Sequence, residues 1–157
     1  MIVNNLEEFK KLLKENRRII GLDVGRKTIG VALSDKDKNI ATPKFIIARK
    51  SIIKDVEVLV KYITENDVCA VVSGLPLNSN GEKIEACNYI VRFVEELNKK
   101  INLPIFFENE FLSSFIVEDF MIDEMGTKSR KVKTIVDKSA ASVILQDTLN
   151  KLRLINK

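Results

Sequence analysis

Three acidic residues stand where a folded chain has little structural use for them. Asp23 interrupts Ile19-Ile20-Gly21-Leu22-Asp23-Val24, a run otherwise written for a buried strand. Glu110 follows the short strand-like segment Pro104-Ile105-Phe106-Phe107, and Asp137 opens the helical stretch Val136-Asp137-Lys138-Ser139. A carboxylate buried alone costs several kcal/mol unless a cation or hydrogen-bond donors compensate. Asp23 is therefore expected to face a ligand at the end of its strand, most simply a metal ion; an Asp accepting turn N–H groups near Gly25 is the competing reading. Asp137 taken alone reads as a helix N-cap, and taken with the other two it completes an acidic cluster. Two carboxylates ~5 Å apart repel by roughly 3 kcal/mol at an effective dielectric of about 20, so three together need a cation. A divalent metal pair held there can activate a water, hold a phosphate and stabilise the leaving oxygen of an in-line displacement, which is phosphodiester hydrolysis.

Composition narrows the choice of metal. The chain has no histidine, which removes Ser-His-Asp and Cys-His catalysis and every His-ligated zinc site. Any catalysis must then rest on carboxylates, lysines, hydroxyls or an all-oxygen metal site, the last favouring Mg²⁺ or Mn²⁺. Cys69 and Cys87 lack metal-ligand spacing and read as buried free thiols. A net charge of +4 and a pI near 9.0 lean toward an anionic partner. Lys128, Arg130, Lys131 and Lys133, in a basic loop after Gly126, offer an approach for a phosphate backbone; a solvated charge run is the alternative. No apolar run reaches the ~20 residues of a membrane span, and Glu7 and Glu8 come too early for a signal peptide. A cytoplasmic protein with no membrane partner is expected.

The elements that must position these residues follow from periodicity. Leu6, Phe9, Leu12 and Leu13 predict an amphipathic helix over residues 4–15. Strands are expected over 18–24, 27–34 and 40–48 as an antiparallel meander, with Pro43 placing the third at an edge. Asp35 and Asp37 read as turn residues between the second and third strands. Ser51 caps a helix to about Glu65, with Val56, Leu59, Val60 and Ile63 as its core stripe. The continuous apolar run Val68-Cys69-Ala70-Val71-Val72 predicts a parallel strand covered on both faces. A loop, Gly74 to Gly81, a helix over 82–99, a fifth strand at 104–107, a helix over 113–124 and a final helix from about Val136 complete the chain. Loops at the carboxyl ends of parallel strands are where α/β sheets bind ligands. The length, 157 residues, fits a single domain, with 1–16 as an N-terminal helical extension and 17–150 as the core.

Three segments resemble the motifs of one family. Gly21-Leu22-Asp23-Val24-Gly25 through Ile29-Gly30-Val31-Ala32, then Gly74-Leu75-Pro76-Leu77-Asn78 with Gly81, then Val136-Asp137-Lys138-Ser139-Ala140-Ala141 through Ile144-Leu145-Gln146 are similar to the YqgF proteins of the ribonuclease H-like superfamily. These are known as pre-16S ribosomal RNA nucleases and earlier as Holliday junction resolvases. The resemblance implies a ribonuclease H-like three-layer α/β fold, with a mixed five-stranded sheet of order 3-2-1-4-5 flanked by helices. It also implies Asp23, Glu110 and Asp137 as catalytic, metal-holding acids. Asn109-Glu110-Phe111-Leu112-Ser113-Ser114 departs from the family's Asp-Glu-Arg-Leu-Thr-Thr or Ser. The central Glu is kept, while the Arg, a planar five-donor group suited to phosphate, is replaced by Phe111.

The expected activity is a Mg²⁺- or Mn²⁺-dependent nuclease acting on structured RNA, with pre-16S leader RNA, in ribosomal particles or free, implied by the resemblance. Gly25, Lys27, Asn78, Lys128, Arg130, Lys131 and Lys133 are the expected nucleic-acid contacts. Cleavage of branched DNA is the same chemistry on another substrate, and resolvases of that kind act as symmetric dimers, so monomer and homodimer both stay open. Two further classes compete. One is an RNA-binding module without cleavage, motivated by Asn109 and Phe111. The other is a phosphotransferase using the strand-Asp-Gly-turn-strand start, a class that needs two such domains where this chain has one.

Overall fold

The computed structural model describes residues 1–76, 87–109 and 130–155, with the backbone alone described over 130–139. Its centre is a six-stranded sheet. The strands are β1 (Ile2–Val3), β2 (Arg18–Val24), β3 (Thr28–Ser34), β4 (Ala41–Ala48), β5 (Val68–Leu75) and β6 (Ile105–Asn109), in the spatial order β1-β6-β5-β2-β3-β4. The helices are α1 (Leu6–Leu12), α2 (Ile52–Glu65), α3 (Asn88–Lys100) and α4 (Arg130–Leu154).

Strands β2, β3 and β4 form the antiparallel meander, and β5 and β6 add in parallel on the other side of β2. These five reproduce the order 3-2-1-4-5. The sheet has a sixth strand because the N-terminal segment is not helical throughout. Ile2 and Val3 pair in parallel with Ile105 and Phe106, which closes an edge that β6 would otherwise expose. The helix that follows is correspondingly short. Asn5 caps it by accepting from the N–H groups of Glu7 and Glu8, and Phe9 is buried against Phe106.

Alternation along β2 sorts its side chains onto two layers. Ile20, Leu22 and Val24 share a core with Val56, Leu59 and Ile63 of α2 and Ile90, Phe93, Val94 and Leu97 of α3. Ile19 instead joins Ala70, Val72 and Ala141, Ile144 and Leu145 of α4. Apart from its last residue, β5 is buried throughout, as expected of a strand covered on both faces. Ser51 caps α2 through the Lys54 N–H. Pro43 lies on the edge strand β4, where the register with β3 slips past Lys44. Asp35 holds the β3–β4 turn by accepting from Asn39 and Ile40 N–H. Burial works to raise its pKa, but those backbone donors and nearby Lys38 outweigh it and hold the carboxyl below its usual value. Cys69 and Cys87 are buried free thiols.

The last helix corrects two expectations. It begins by Arg130 rather than near Val136, so Arg130, Lys131 and Lys133 are helical residues and not part of a loop. No Gly or Pro follows Gly126 before the chain ends, and Lys, Arg and Ala are good helix formers. Asp137 is consequently two turns inside α4. An N-cap needs the free N–H groups of the first turn, so that role is excluded for it. The expected helix over 113–124 and residues 82–86 of the helix placed at 82–99 lie outside the described residues, and the described part of the latter is α3.

α4 meets the sheet closest at Gly21. A Cβ there would stand 2.7 Å from Leu145 Cβ and 3.2 Å from the Ala141 carbonyl oxygen. Gly21→Ala must therefore push the helix off the sheet, and we expect a loss of about 1–3 kcal/mol in urea unfolding. Unchanged stability would contradict this packing.

Candidate active site

The parallel strands β2, β5 and β6 bring their carboxyl ends to one edge of the sheet. Asp23 is the penultimate residue of β2 and pairs with Gly30 of β3. It is half-buried between buried Leu22 and Val24. Being two residues beyond Gly21, it shares the face of the sheet that α4 covers. Leu22 pairs with Ser73, and Gly74, the next residue of β5, pairs with Glu108 of β6. Asp23, Gly74 and Glu108 thus stand level across the sheet, with a residue lacking a side chain between the two acids.

Immediately after Asp23 the chain reverses. Gly25 donates to the Thr28 carbonyl at 2.8 Å, and a Cβ at Gly25 would also lie 2.8 Å from that oxygen, so the tight turn requires glycine. Arg26 and Lys27 are exposed at its tip. The turn is pinned from behind by Arg49, which follows β4. Its backbone N–H donates to Lys27 O and its guanidinium to Gly25 O. The guanidinium is held in turn by Asp55 of α2 at 3.1 Å and by the ring of Phe93. Asp55 is 2% exposed and also accepts from Lys50 N–H. Arg26 stacks on Tyr89 in the first turn of α3. Arg49 and Asp55 are positioning residues that sequence reasoning missed. Asp55 reads as an ordinary acid in a helix's first turn, and nothing local announces a buried partner.

Of the other expected site residues, Glu110, Asn78 and Lys128 lie outside the described residues. Arg130, Lys131, Lys133 and Asp137 are described as helix backbone only. Asn109 ends β6 and is exposed. Pro76 and Cys87, on either side of residues 77–86, are joined by a hydrogen bond from the Cys87 thiol to Pro76 O. Among the described residues no three metal-binding side chains converge, and no helix is long and apolar enough to cross a membrane.

Residues 17–151 match the family described as RuvX, Holliday junction resolvase. The chain belongs to this family. The RuvX match starts at residue 17, so β1 and α1 lie outside it. A relative from Rickettsia bellii is 38% identical over 152 residues, covering 97% of this chain and 98% of its own. One from a Wolbachia sp. is 36% identical over 155 residues, covering 99% of each. Both carry the name "Putative pre-16S rRNA nuclease". In fold, this chain is similar to T. thermophilus RuvC in complex with a Holliday junction substrate, with a TM-score of 0.56 at 10% identity, over 88% of this chain and 96% of that one. The ribonuclease H-like fold expected from the sequence is the one observed.

The ion pair behind the turn gives a stability test. Asp55→Asn leaves the nearly buried Arg49 guanidinium without its counter-charge, and we expect a loss of about 3 kcal/mol in chemical denaturation. A change under ~0.5 kcal/mol would mean that water already satisfies Arg49.

Proposed function

We propose that this chain is a divalent-metal-dependent nuclease that hydrolyses phosphodiester bonds in structured RNA, with the 5′ end of pre-16S ribosomal RNA as its substrate. The observation that carries this reading is the position of Asp23. It is a half-buried carboxylate at the carboxyl end of a central strand, on the face covered by α4, in a chain of a nuclease family.

The helical period supports a place for Asp137 beside it. Positions 137, 141, 144, 148 and 151 fall on one stripe of α4. Ala141 of that stripe touches β2 at Gly21, while Thr148 and Lys151 bond Glu108 near the carboxyl end of β6. The stripe therefore faces the edge where the parallel strands end, and position 137 lies one turn before the contact with β2. Glu110 follows one residue after β6 ends at that same edge.

Asp23, Glu110 and Asp137 are the residues that would hold Mg²⁺ or Mn²⁺. Their donor set is all carboxylate oxygen in a chain without histidine, which fits these hard cations. A metal bound there would activate the attacking water and stabilise the leaving oxygen. The rest falls to the protein. Gly25 lets the turn approach a phosphate closely, and Lys27 at its exposed tip offers that phosphate a positive charge. Asn78, Lys128, Arg130, Lys131 and Lys133 extend the track for the strand on either side. Such a substrate places the protein in the cytoplasm.

The test is cleavage of an end-labelled RNA carrying a single-stranded leader beside a duplex, with a four-way DNA junction in parallel, in Mn²⁺, Mg²⁺ and chelator. We expect metal-dependent RNA cleavage that falls in Asp23→Asn and Asp137→Asn by at least about a hundredfold, the upper end of the effect of losing even an outer-shell group. Cleavage of the junction alone would move the assignment to a resolvase. Salt-sensitive RNA binding without cleavage would leave a binding module. Because the acids repel one another, both variants should melt at or above the wild-type temperature in chelator.

A further inference from the structure

Glu108 is a buried acid that the proposed chemistry does not use. Its side chain is about as enclosed as that of any core residue, at 3% exposure, and both of its oxygens are engaged by α4. Thr148 Oγ1 donates to Oε1 at 2.7 Å and Lys151 Nζ to Oε2 at 2.7 Å. Thr148 is fully buried, whereas Lys151 reaches in from a half-exposed position. Two residues earlier on the same face of β6, Phe106 packs on the ring of Phe9 of α1 and on the apolar core that α4 joins. Apolar packing at the end of β6 is less selective of register than a hydrogen-bonded charge. A carboxylate held at both oxygens by two residues one turn apart selects one register, because any shift strands a buried charge.

That register matters for the site. Glu108 is level with Asp23 across Gly74, a separation of about 10 Å at two strand spacings. Two residues after Glu108 comes Glu110, and Thr148 and Lys151 share their helical stripe with Asp137. We propose that Glu108, Thr148 and Lys151 form a positioning clamp that fixes the carboxyl end of β6 against α4, the helix that carries Asp137. This rests on the assignment of Asp23, Glu110 and Asp137 as the metal-holding acids.

Mn²⁺ affinity, read from the electron paramagnetic resonance signal of free Mn²⁺, tests the clamp without relying on turnover. The variants are Glu108→Gln, Thr148→Val, Thr148→Ser and Lys151→Met, each with a melting curve in chelator. We expect folded Glu108→Gln and Thr148→Val with Mn²⁺ affinity weakened about tenfold, and Thr148→Ser, which keeps the hydroxyl, within twofold of wild type. In cleavage the same two variants should lose kcat with an unchanged KM for RNA. Folded variants with wild-type Mn²⁺ affinity would overturn the proposal, as would loss of folding in Glu108→Gln, Thr148→Val and Lys151→Met alike, which would make the contact structural only. Failure of the underlying assignment looks different: Asp23→Asn would bind Mn²⁺ as tightly as wild type, and the clamp would then have no site to position.

Discussion

The contact on which the rest of this structure depends is the approach of α4 to β2 at Gly21. With no side chain at that position, the helix sits close enough for the Ala141 carbonyl and Leu145 Cβ to occupy the space a Cβ would take. Close packing of this kind is bistable rather than adjustable, because interiors are dense and a displaced helix cannot settle halfway. Asp23 lies two residues further along the strand and Asp137 one turn earlier along the helix. One short contact thus fixes the two elements that carry them.

The two faces of the sheet divide the remaining work. On the face of α2 and α3, the ion pair between Arg49 and Asp55 holds the turn after Asp23 from behind. On the face of α4, Glu108 ties the end of β6 to the same helix that meets β2. α1 secures the far end of that helix, where Lys10 Nζ donates to the carbonyls of Leu152 and Ile155. Leu152 belongs to the last turn of α4 and Ile155 follows it, and a lysine at that position suits the negative end of the helix dipole. The N-terminal segment outside the family match therefore serves the core. It extends the sheet at β6 and caps α4.

Much of this was legible in the residues, and what was not has two causes. The apolar run 68–72 of β5, the Ser51 cap, the edge position of Pro43 and the placement of Asp23 at a strand end all follow from local pattern. Glu108 and Asp55 do not. Each is an acid whose burial makes sense only with its partner, and the partners of Glu108 are 40 and 43 residues away in sequence. β1 escaped because two residues carry no periodicity, and its pairing with β6 is also long-range. The start of α4 was misplaced for the opposite reason. The clustered charges of 130–133 read as loop although Arg and Lys favour helix, and the N-cap preference of Asp draws the boundary to 137.

The central claim is that Asp23, Glu110 and Asp137 gather around a divalent metal at the carboxyl edge of the sheet. Mn²⁺ shortens the relaxation of nearby nuclei, so adding it substoichiometrically to isotope-labelled protein while recording amide spectra maps the metal directly. Selective broadening confined to amides around residues 22–25, 108–111 and 136–138, reversed by chelator, is the predicted result. Broadening centred elsewhere, or spread evenly over the exposed acids, would contradict it.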